Sequence, residues 1–335
     1  MSKPIAALLA IFALFPLALS AQPAPEETEP VRWSLAIHGG AGTLKRENMT
    51  SEQEEAYRCS LQAALDAGAE VLASGGDALQ AVEAAIVLLE DDPLFNAGRG
   101  SVFTWEGANE MDASIMDGRT RAAGAVAGVT TVRHPIHLAR AVMDDGRHVF
   151  LSGAGAEQFA TAKGLERMPP AWFATERRRK QLEVMKSRQL SALDVEYKFG
   201  TVGAVARDQA GHLAAGTSTG GMTGKRWGRI GDAPVIGAGT WADDRSCAVS
   251  ATGWGEFFIR AGVAQAICDR VRLAGEGVQQ ASDTVIAEVA EMGGDGGVIV
   301  MSNAGEAVFS FNSAGMYRGR ADSSGTNEVA IFAQD

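Results

Sequence analysis

The residues best placed to do chemistry begin at Gly200-Thr201, inside Phe199-Gly200-Thr201-Val202-Gly203-Ala204-Val205-Ala206. Taken alone, Thr201 reads as a β-branched residue opening a strand. The glycine before it changes that reading, because it removes bulk from one side of the peptide bond and permits strained backbone there. A hydroxyl beside that carbonyl can attack it, form an ester, and let water release a free N-terminal threonine. Such a terminus answers a chemical need. A threonine hydroxyl is a poor nucleophile without a base, and an α-amine, with an ordinary pKa of about 7.7–8.0, is partly neutral near pH 7. Nucleophile and base then belong to one residue. The rest of the chain offers no substitute: its five histidines form no zinc motif and supply no Ser-His-Asp partner, and His134 and His137 bracket Pro135.

Positioning Thr201 requires strands. Thr201 to Arg207, a turn at Asp208-Gln209-Ala210-Gly211 and His212 to Ser218 read as a hairpin. Trp33 to His38 is a strand running into the glycine turn Gly39-Gly40-Ala41-Gly42. Ser51-Glu52-Gln53-Glu54 reads as a capping box opening a helix to about Ser74, and Asp77 with Gln80 opens a second whose Ala81, Ala84, Ala85 and Leu88 recur at helical spacing. Short strands are expected at Ser101–Thr104, Asp112–Met116 and Ala122–Val132, and a helix at Pro135–Met143. Helices at Phe257–Ala274 and Ala281–Glu291 precede strands Gly297–Ser302 and Ala307–Ser310. Strands in pairs with helices in pairs suggest a layered α+β or α/β body rather than a βαβ repeat. Between Arg167 and Phe199 the basic run Arg177-Arg178-Arg179-Lys180 reads either as a solvated helix face or as an exposed, mobile segment leading to a processing point.

Composition bounds the rest. The chain has 335 residues, 46% of them hydrophobic, and a formal net charge of −11. A core of this size excludes bulk disorder, and the acidic balance argues against a nucleic-acid partner. Glycine is in excess, 40 of 335 residues against a usual level of roughly 7%. At the N-terminus, Lys3, the apolar run Ile5–Leu19 and small residues through Ala21 read as a signal peptide over residues 1–21, cleaved after Ser20 or Ala21. The mature protein is then secreted, periplasmic in a Gram-negative source, with no membrane partner after cleavage. Cys59, Cys247 and Cys268 are widely spaced without a CxxC, and read as small buried hydrophobes.

The order and spacing of several segments resemble the plant-type asparaginase and isoaspartyl peptidase family of N-terminal-nucleophile hydrolases. They are Ile37-His38-Gly39-Gly40-Ala41-Gly42, Phe95-Asn96-Ala97-Gly98, Met111-Asp112-Ala113, Gly124 to Val129, Gly200-Thr201, Gly228-Arg229-Ile230-Gly231-Asp232, Thr252-Gly253, and Phe311-Asn312 through Gly315-Met316-Tyr317-Arg318. The resemblance covers nearly the whole mature chain. It implies an α+β fold, a four-layer αββα sandwich, cut between Gly200 and Thr201 into an α subunit (22–200) and a β subunit (201–335) that pair as an (αβ)₂ heterotetramer. It implies Thr201 as nucleophile and general base, Thr219 hydrogen-bonded beside it, the Thr252 hydroxyl and Gly253 amide as oxyanion hole, and Asn96 bordering the site.

Charge then identifies the substrate. An α-amino acid head presents a carboxylate and an ammonium together. Arg229 suits the carboxylate, and Asp232 suits the ammonium, helped by a carbonyl of Gly253 or Gly255. Isolated, either residue would be a surface charge, but both lie in one glycine-flanked loop just after the nucleophile strands. The scissile group is then the side-chain amide of asparagine or the β-peptide bond of an isoaspartyl dipeptide. No cofactor is needed for catalysis. The resemblance also implies a structural Na⁺ held by backbone carbonyls of Leu89, Glu90, Asp92, Phe95, Ala97 and Arg99. Trp254, between two glycines, departs from the family pattern and bears on the leaving-group side. The rival readings are a glycosylasparaginase, disfavoured because that group places aspartate where this chain has Gly200, and a non-catalytic amino-acid binder, which could dispense with the three threonines. A dinucleotide site at Gly153-Ala154-Gly155 lacks its third glycine.

Overall fold

A computed structural model of the chain describes residues 1, 32–42, 44–188 and 200–335. Apart from Met1, the expected signal peptide lies outside the described residues, as do residues 189–199 of the expected linker. Before Gly200 the order is β1 (Ser34–Gly42), α1 (Ser51–Ala73), α2 (Ala78–Asp91), β2 (Met111–Asp117), β3 (Ala123–Val129), α3 (Pro135–Asp145), β4 (Phe150–Ser152), α4 (Gly153–Ala162), α5 (Pro170–Phe173) and α6 (Glu176–Ser187). After it come β5 (Val202–Arg207), β6 (Leu213–Thr219), β7 (Thr240–Ala242), β8 (Cys247–Gly253), α7 (Gly255–Ala261), α8 (Val263–Asp269), α9 (Val278–Glu291), β9 (Gly296–Ser302), β10 (Ala307–Phe311), β11 (Gly315–Asp322) and β12 (Asn327–Phe332).

The strands form two sheets, an eight-stranded one in the order β12-β11-β1-β5-β6-β2-β3-β4 and a four-stranded one in the order β10-β9-β8-β7. Among these described strands only β3 and β4 pair in parallel. The central strands are buried on both faces, so their side-chain alternation separates two cores rather than core from solvent. On β1, Leu35 and Ile37 join Leu61, Leu65 and Ile86 of the helices, while Ala36 packs with Ala215, Ala248 and Ile299 between the sheets. A third core lies between β8 and β9 and the helices α8 and α9, through Val249, Val300, Ile267 and Val285. Each leucine, isoleucine or valine buried this way contributes about 2 kcal/mol. The small residues between the sheets let β5, which follows Thr201, and β8, which carries Thr252, approach closely.

Several boundaries differ from the sequence expectation. The first capping box belongs to Thr50 and Gln53: Thr50 Oγ1 accepts from the Gln53 N–H (3.2 Å) and Gln53 Oε1 from the Thr50 N–H (3.0 Å). Asp77 and Gln80 cap α2 as expected. The helix expected over 257–274 breaks at Gly262, whose φ of 59° divides α7 from α8. Ser101–Thr104 yields one isolated bridge, Phe103 to Asn109. The run Arg177–Lys180 lies on a helix with Arg177, Arg179 and Lys180 exposed, as the solvated-face reading expects, but Arg178 is buried, as are Phe173, Leu182 and Met185 of α5 and α6. The cysteine reading needs the largest correction. Cys247 and Cys268 form a disulfide, with Cα atoms 5.3 Å apart, and Cys59 is exposed. Packing of α8 on β8 brings together two cysteines 21 residues apart, which spacing alone could not reveal.

Candidate active site

Thr201 precedes β5 and is buried, 8% exposed. The β5–β6 register pairs Val202 with Ser218, which places Thr219 beside Thr201. The Thr201 hydroxyl donates to Thr219 Oγ1 at 3.1 Å, and Thr219 Oγ1 also accepts from the Gly221 N–H at 3.0 Å. Thr219 Oγ1 therefore accepts from both neighbours and ties down the Thr201 side chain.

Asn96 fixes the other side of the Gly200–Thr201 bond. Its backbone N–H donates to the Gly200 carbonyl (3.2 Å), its own carbonyl accepts from the Gly220 N–H (2.9 Å), its Nδ2 donates to the Gly221 carbonyl (2.8 Å), and its Oδ1 accepts from the Val102 N–H (2.9 Å). Sequence places Asn96 at the border of the site but does not reveal an N–H on the carbonyl that Thr201 would attack. That donor polarises the carbonyl and faces the charge that attack would create on it.

The β1 glycine turn closes over both. Gly40 has φ of 116°, and a Cβ there would lie 2.7 Å from Gly200 Cα, so the turn can pass this close only without a side chain. One residue on, the Ala41 N–H donates to Thr252 Oγ1 at 3.2 Å. One stretch of β1 thus touches Gly200 and Thr252. Thr252 and Gly253 end β8, with Thr252 fully buried.

His38 carries a role that sequence reasoning missed. It lies on the inter-sheet side of β1, fully buried. Its Nδ1 donates to the Thr201 carbonyl (3.0 Å), and since a carbonyl only accepts, Nε2 is the unprotonated nitrogen and accepts from Ser250 Oγ (2.9 Å). Ser250 continues through Thr217 and Thr240 to Ser114. Burial pushes the imidazole down to about 3, against the opposing Thr201 bond, so His38 is neutral and positions rather than titrates. A histidine inside an apolar strand beside the glycine turn was the available signal.

The expected substrate loop is assembled differently from the expectation in one respect. Arg229 and Asp232 are neighbours, but no ion pair within 4 Å joins them; Arg229 is instead clasped by Glu256 on α7, Nε to Oε1 at 3.0 Å and Nη2 to Oε2 at 2.8 Å. Asp232 is 4% exposed and its Oδ2 has no hydrogen-bond partner among the described residues. Burial raises its carboxyl to about 7, opposed by Arg229. Gly255 makes this possible: a Cβ there would stand 2.9 Å from Asp232 Oδ1 and 3.0 Å from Arg229 Nη2. The site therefore sets a cation, paired with the partly exposed Glu256, beside a buried carboxylate with one unpartnered oxygen. Trp254 precedes α7 with its ring edge-on to Phe257, centroids 4.9 Å apart.

The carbonyl loop at 89–99 begins in the last turn of α2. Pro93 has no N–H to give the Leu89 carbonyl, and the Leu94 N–H donates to Asp92 Oδ1 at 2.9 Å rather than back to Glu90. Gly98, at φ 47°, returns so closely that a Cβ would lie 2.2 Å from the Glu90 carbonyl. Carbonyls at the negative end of a helix dipole suit a hard cation, although those of Asp92 and Ala97 already accept from the Phe95 and Gly100 N–H groups at 3.2 and 3.0 Å. Among the described residues no three histidine, cysteine or acidic side chains cluster as metal ligands, and no helix is long and apolar enough to cross a membrane.

Residues 31–331 match the family described as Asparaginase. The chain is 45% identical to the isoaspartyl peptidase of Salmonella typhimurium over 90% of its own length and 98% of that protein. It is 44% identical to the Escherichia coli isoaspartyl peptidase over 90% and 96%, and 42% identical to the human isoaspartyl peptidase/L-asparaginase over 84% and 91%.

Proposed function

This chain belongs to the asparaginase family. On that premise we propose that it is a hydrolase of L-asparagine and isoaspartyl dipeptides that first cuts itself between Gly200 and Thr201. The observation that carries the reading is the Thr201 hydroxyl, bonded to Thr219 at 3.1 Å and following a carbonyl held by the Asn96 N–H.

Activation proceeds by attack of Thr201 Oγ on the Gly200 carbonyl carbon. The Asn96 N–H bears the charge on the oxygen, the C–N bond breaks to leave an ester, and water hydrolyses the ester to a Gly200 carboxylate and a free Thr201 amine. In catalysis that amine takes the hydroxyl proton. The aspartyl head binds with its carboxylate on Arg229, displacing Glu256, and its ammonium on Asp232. The Thr252 hydroxyl and Gly253 N–H face the oxyanion, each such donor worth about 3 kcal/mol of barrier. The amine hands its proton to the leaving nitrogen, and ammonia or an amino acid departs. Water then frees aspartate from Thr201.

The two sheets with helices outside them are read as the four-layer sandwich, the two halves 22–200 and 201–335 as its subunits, and the assembly as (αβ)₂. A structural Na⁺ would sit on the carbonyls of Leu89, Glu90, Asp92, Phe95, Ala97 and Arg99, where it would supply positive charge and stiffness to the loop that carries Asn96. Residues 1–21 would direct export, periplasmic in a Gram-negative source, where the Cys247–Cys268 bond is stable.

The test is a denaturing gel and N-terminal sequencing. Recombinant protein should give two bands, the smaller beginning at Thr201, with turnover of asparagine and β-aspartyl peptides. Thr201→Ala should give one band and no turnover. Turnover by material whose only N-terminus is the leader-processed one would refute the mechanism.

A further inference from the structure

Beside the cut site lies a cavity of about 550 Å³, within the range of small-molecule pockets. Gly39, Asn96 and Gly200 line it, as do Tyr57, Leu94 and Arg178. Arg178 is 6% exposed. Its Nε donates to the Gly100 carbonyl (2.7 Å) and its Nη1 to Gln181 Oε1 (3.0 Å), both neutral acceptors. Among the described residues no carboxylate lies within ion-pair distance of Arg178. The preceding residue, Arg177, is held by the Tyr57 hydroxyl at 2.7 Å. In a chain with 41 acidic and 30 basic residues, a buried guanidinium without an anion is out of balance, because burying a charge is costly unless it is paired. It remains charged at neutral pH even though burial lowers it to about 10.

Catalysis says which anion belongs there. The proton that Thr201 removes from its own hydroxyl must pass from its nitrogen to the leaving nitrogen, so the two come within hydrogen-bond reach. The Thr201 nitrogen is the atom that Gly200 is bonded to before the cut. One place within that reach is the one Gly200 occupied, and a leaving group seated there projects whatever it carries into the space that Gly200 lines. From asparagine that group is ammonia and carries nothing. From an isoaspartyl dipeptide it is an amino acid with a carboxylate one carbon from the nitrogen and a side chain beside it.

We propose that this cavity is the subsite for the leaving residue of isoaspartyl dipeptides, with Arg178 binding its α-carboxylate and the Tyr57–Leu94 wall taking its side chain. The proposal rests on the hydrolytic reading above and extends it to what sets the preference between its two substrates. A neutral sugar on the leaving nitrogen would leave Arg178 unpaired, so the same cavity selects against glycosylated asparagine.

The experiment compares L-asparagine, β-Asp-Leu and β-Asp-leucinamide on the processed wild-type enzyme and on Arg178→Gln. Charge-assisted hydrogen bonds of this kind correspond to about 10- to 100-fold in affinity. On the wild type, KM for the amide should exceed that for the acid by that factor. In Arg178→Gln the acid should lose this advantage, so the ratio of its kcat/KM to that of asparagine falls by the same factor. Equal constants for acid and amide, with good turnover, would overturn the subsite and leave the cations to the new Gly200 carboxylate. A parallel fall on all three substrates in the variant would overturn it too, by making Arg178 a support of the fold. If the variant is not processed, the wild-type comparison of acid with amide decides alone. Absence of turnover of all three by processed wild type would instead overturn the hydrolytic reading, and the subsite with it.

Discussion

Replacing Asp232 by asparagine should cost activity and add stability, and both effects can be sized. The Asp232 carboxyl is 4% exposed, its Oδ2 is unpartnered among the described residues, and burial raises it to about 7. In the unfolded chain it titrates near 3.8. The fold therefore disfavours its charged form by roughly 4 kcal/mol above pH 7, at 1.36 kcal/mol per pH unit. This penalty is complete above about pH 7, shrinks steadily as pH falls towards 3.8, and vanishes below that, because then both states hold the proton. Asp232→Asn keeps the shape and removes the charge. Its melting temperature should exceed that of the wild type by several degrees at pH 8, and the gap should narrow at pH 5. Catalysis should move the other way. The substrate ammonium loses its anion, which for a buried pair costs about 3 kcal/mol, or more than a hundredfold in kcat/KM on asparagine. The pH profile gives a third readout. Wild-type kcat/KM should fall with a slope of two at low pH, as both Asp232 and the Thr201 amine take up protons, and the variant should show a slope of one. Processing into two chains should persist, since Asp232 touches neither Gly200 nor Thr201. A variant with wild-type melting temperature at pH 8 and kcat/KM within threefold of wild type would refute the reasoning.

Thr219→Val removes the hydrogen-bond partner of the Thr201 hydroxyl while keeping its volume; kcat should drop about 100-fold, roughly 3 kcal/mol, with KM little changed, in steady-state assays. Reducing the Cys247–Cys268 bond opens a loop spanning 21 residues, which should cost about 3 kcal/mol. Intact mass should then rise by two hydrogens, and the melting temperature should fall while turnover at 25 °C holds. Replacing Na⁺ by choline should lower the melting temperature and slow processing, because the 89–99 loop carries Asn96. Restoring Na⁺ should reverse both, and a melting curve indifferent to the cation would count against the carbonyl site.

The legible parts of the fold are those that local chemistry dictates. The turn Asp208-Gln209-Ala210-Gly211 announces the β5–β6 hairpin, and that hairpin alone places Thr219 next to Thr201. Asp77 and Gln80 announce the start of α2. Arg229 and Asp232, separated only by Ile230 and Gly231, come together through loop geometry of their own. The missed features are contacts between segments far apart in the chain. Glu256 reaches Arg229 from 27 residues on, His38 reaches Ser250 across 212, and Cys247 meets Cys268 only when α8 docks on β8. The strands β4, β7, β8, β11 and β12 also escape sequence reasoning. β7 has three residues, and the alternation of β12 is blurred by Asn327 and Glu328 at its exposed end. Arg178 reads as part of a charge run, since nothing in Arg177-Arg178-Arg179-Lys180 distinguishes the one guanidinium that points inwards.

The strand order of the large sheet bears on the fate of the two halves that the proposed cut would make. Moving across it, β12 and β11 come from after Thr201, β1 from before it, β5 and β6 from after, and β2, β3 and β4 from before. The two polypeptides made by cleavage would thus be shuffled like two hands of cards, with β1 of one gripped on both sides by strands of the other. Dilution cannot separate such a pair, because no surface exists along which one half could leave intact. Parting them means melting the sheet, so the halves should behave in solution as one cooperative unit without a dissociation constant of their own.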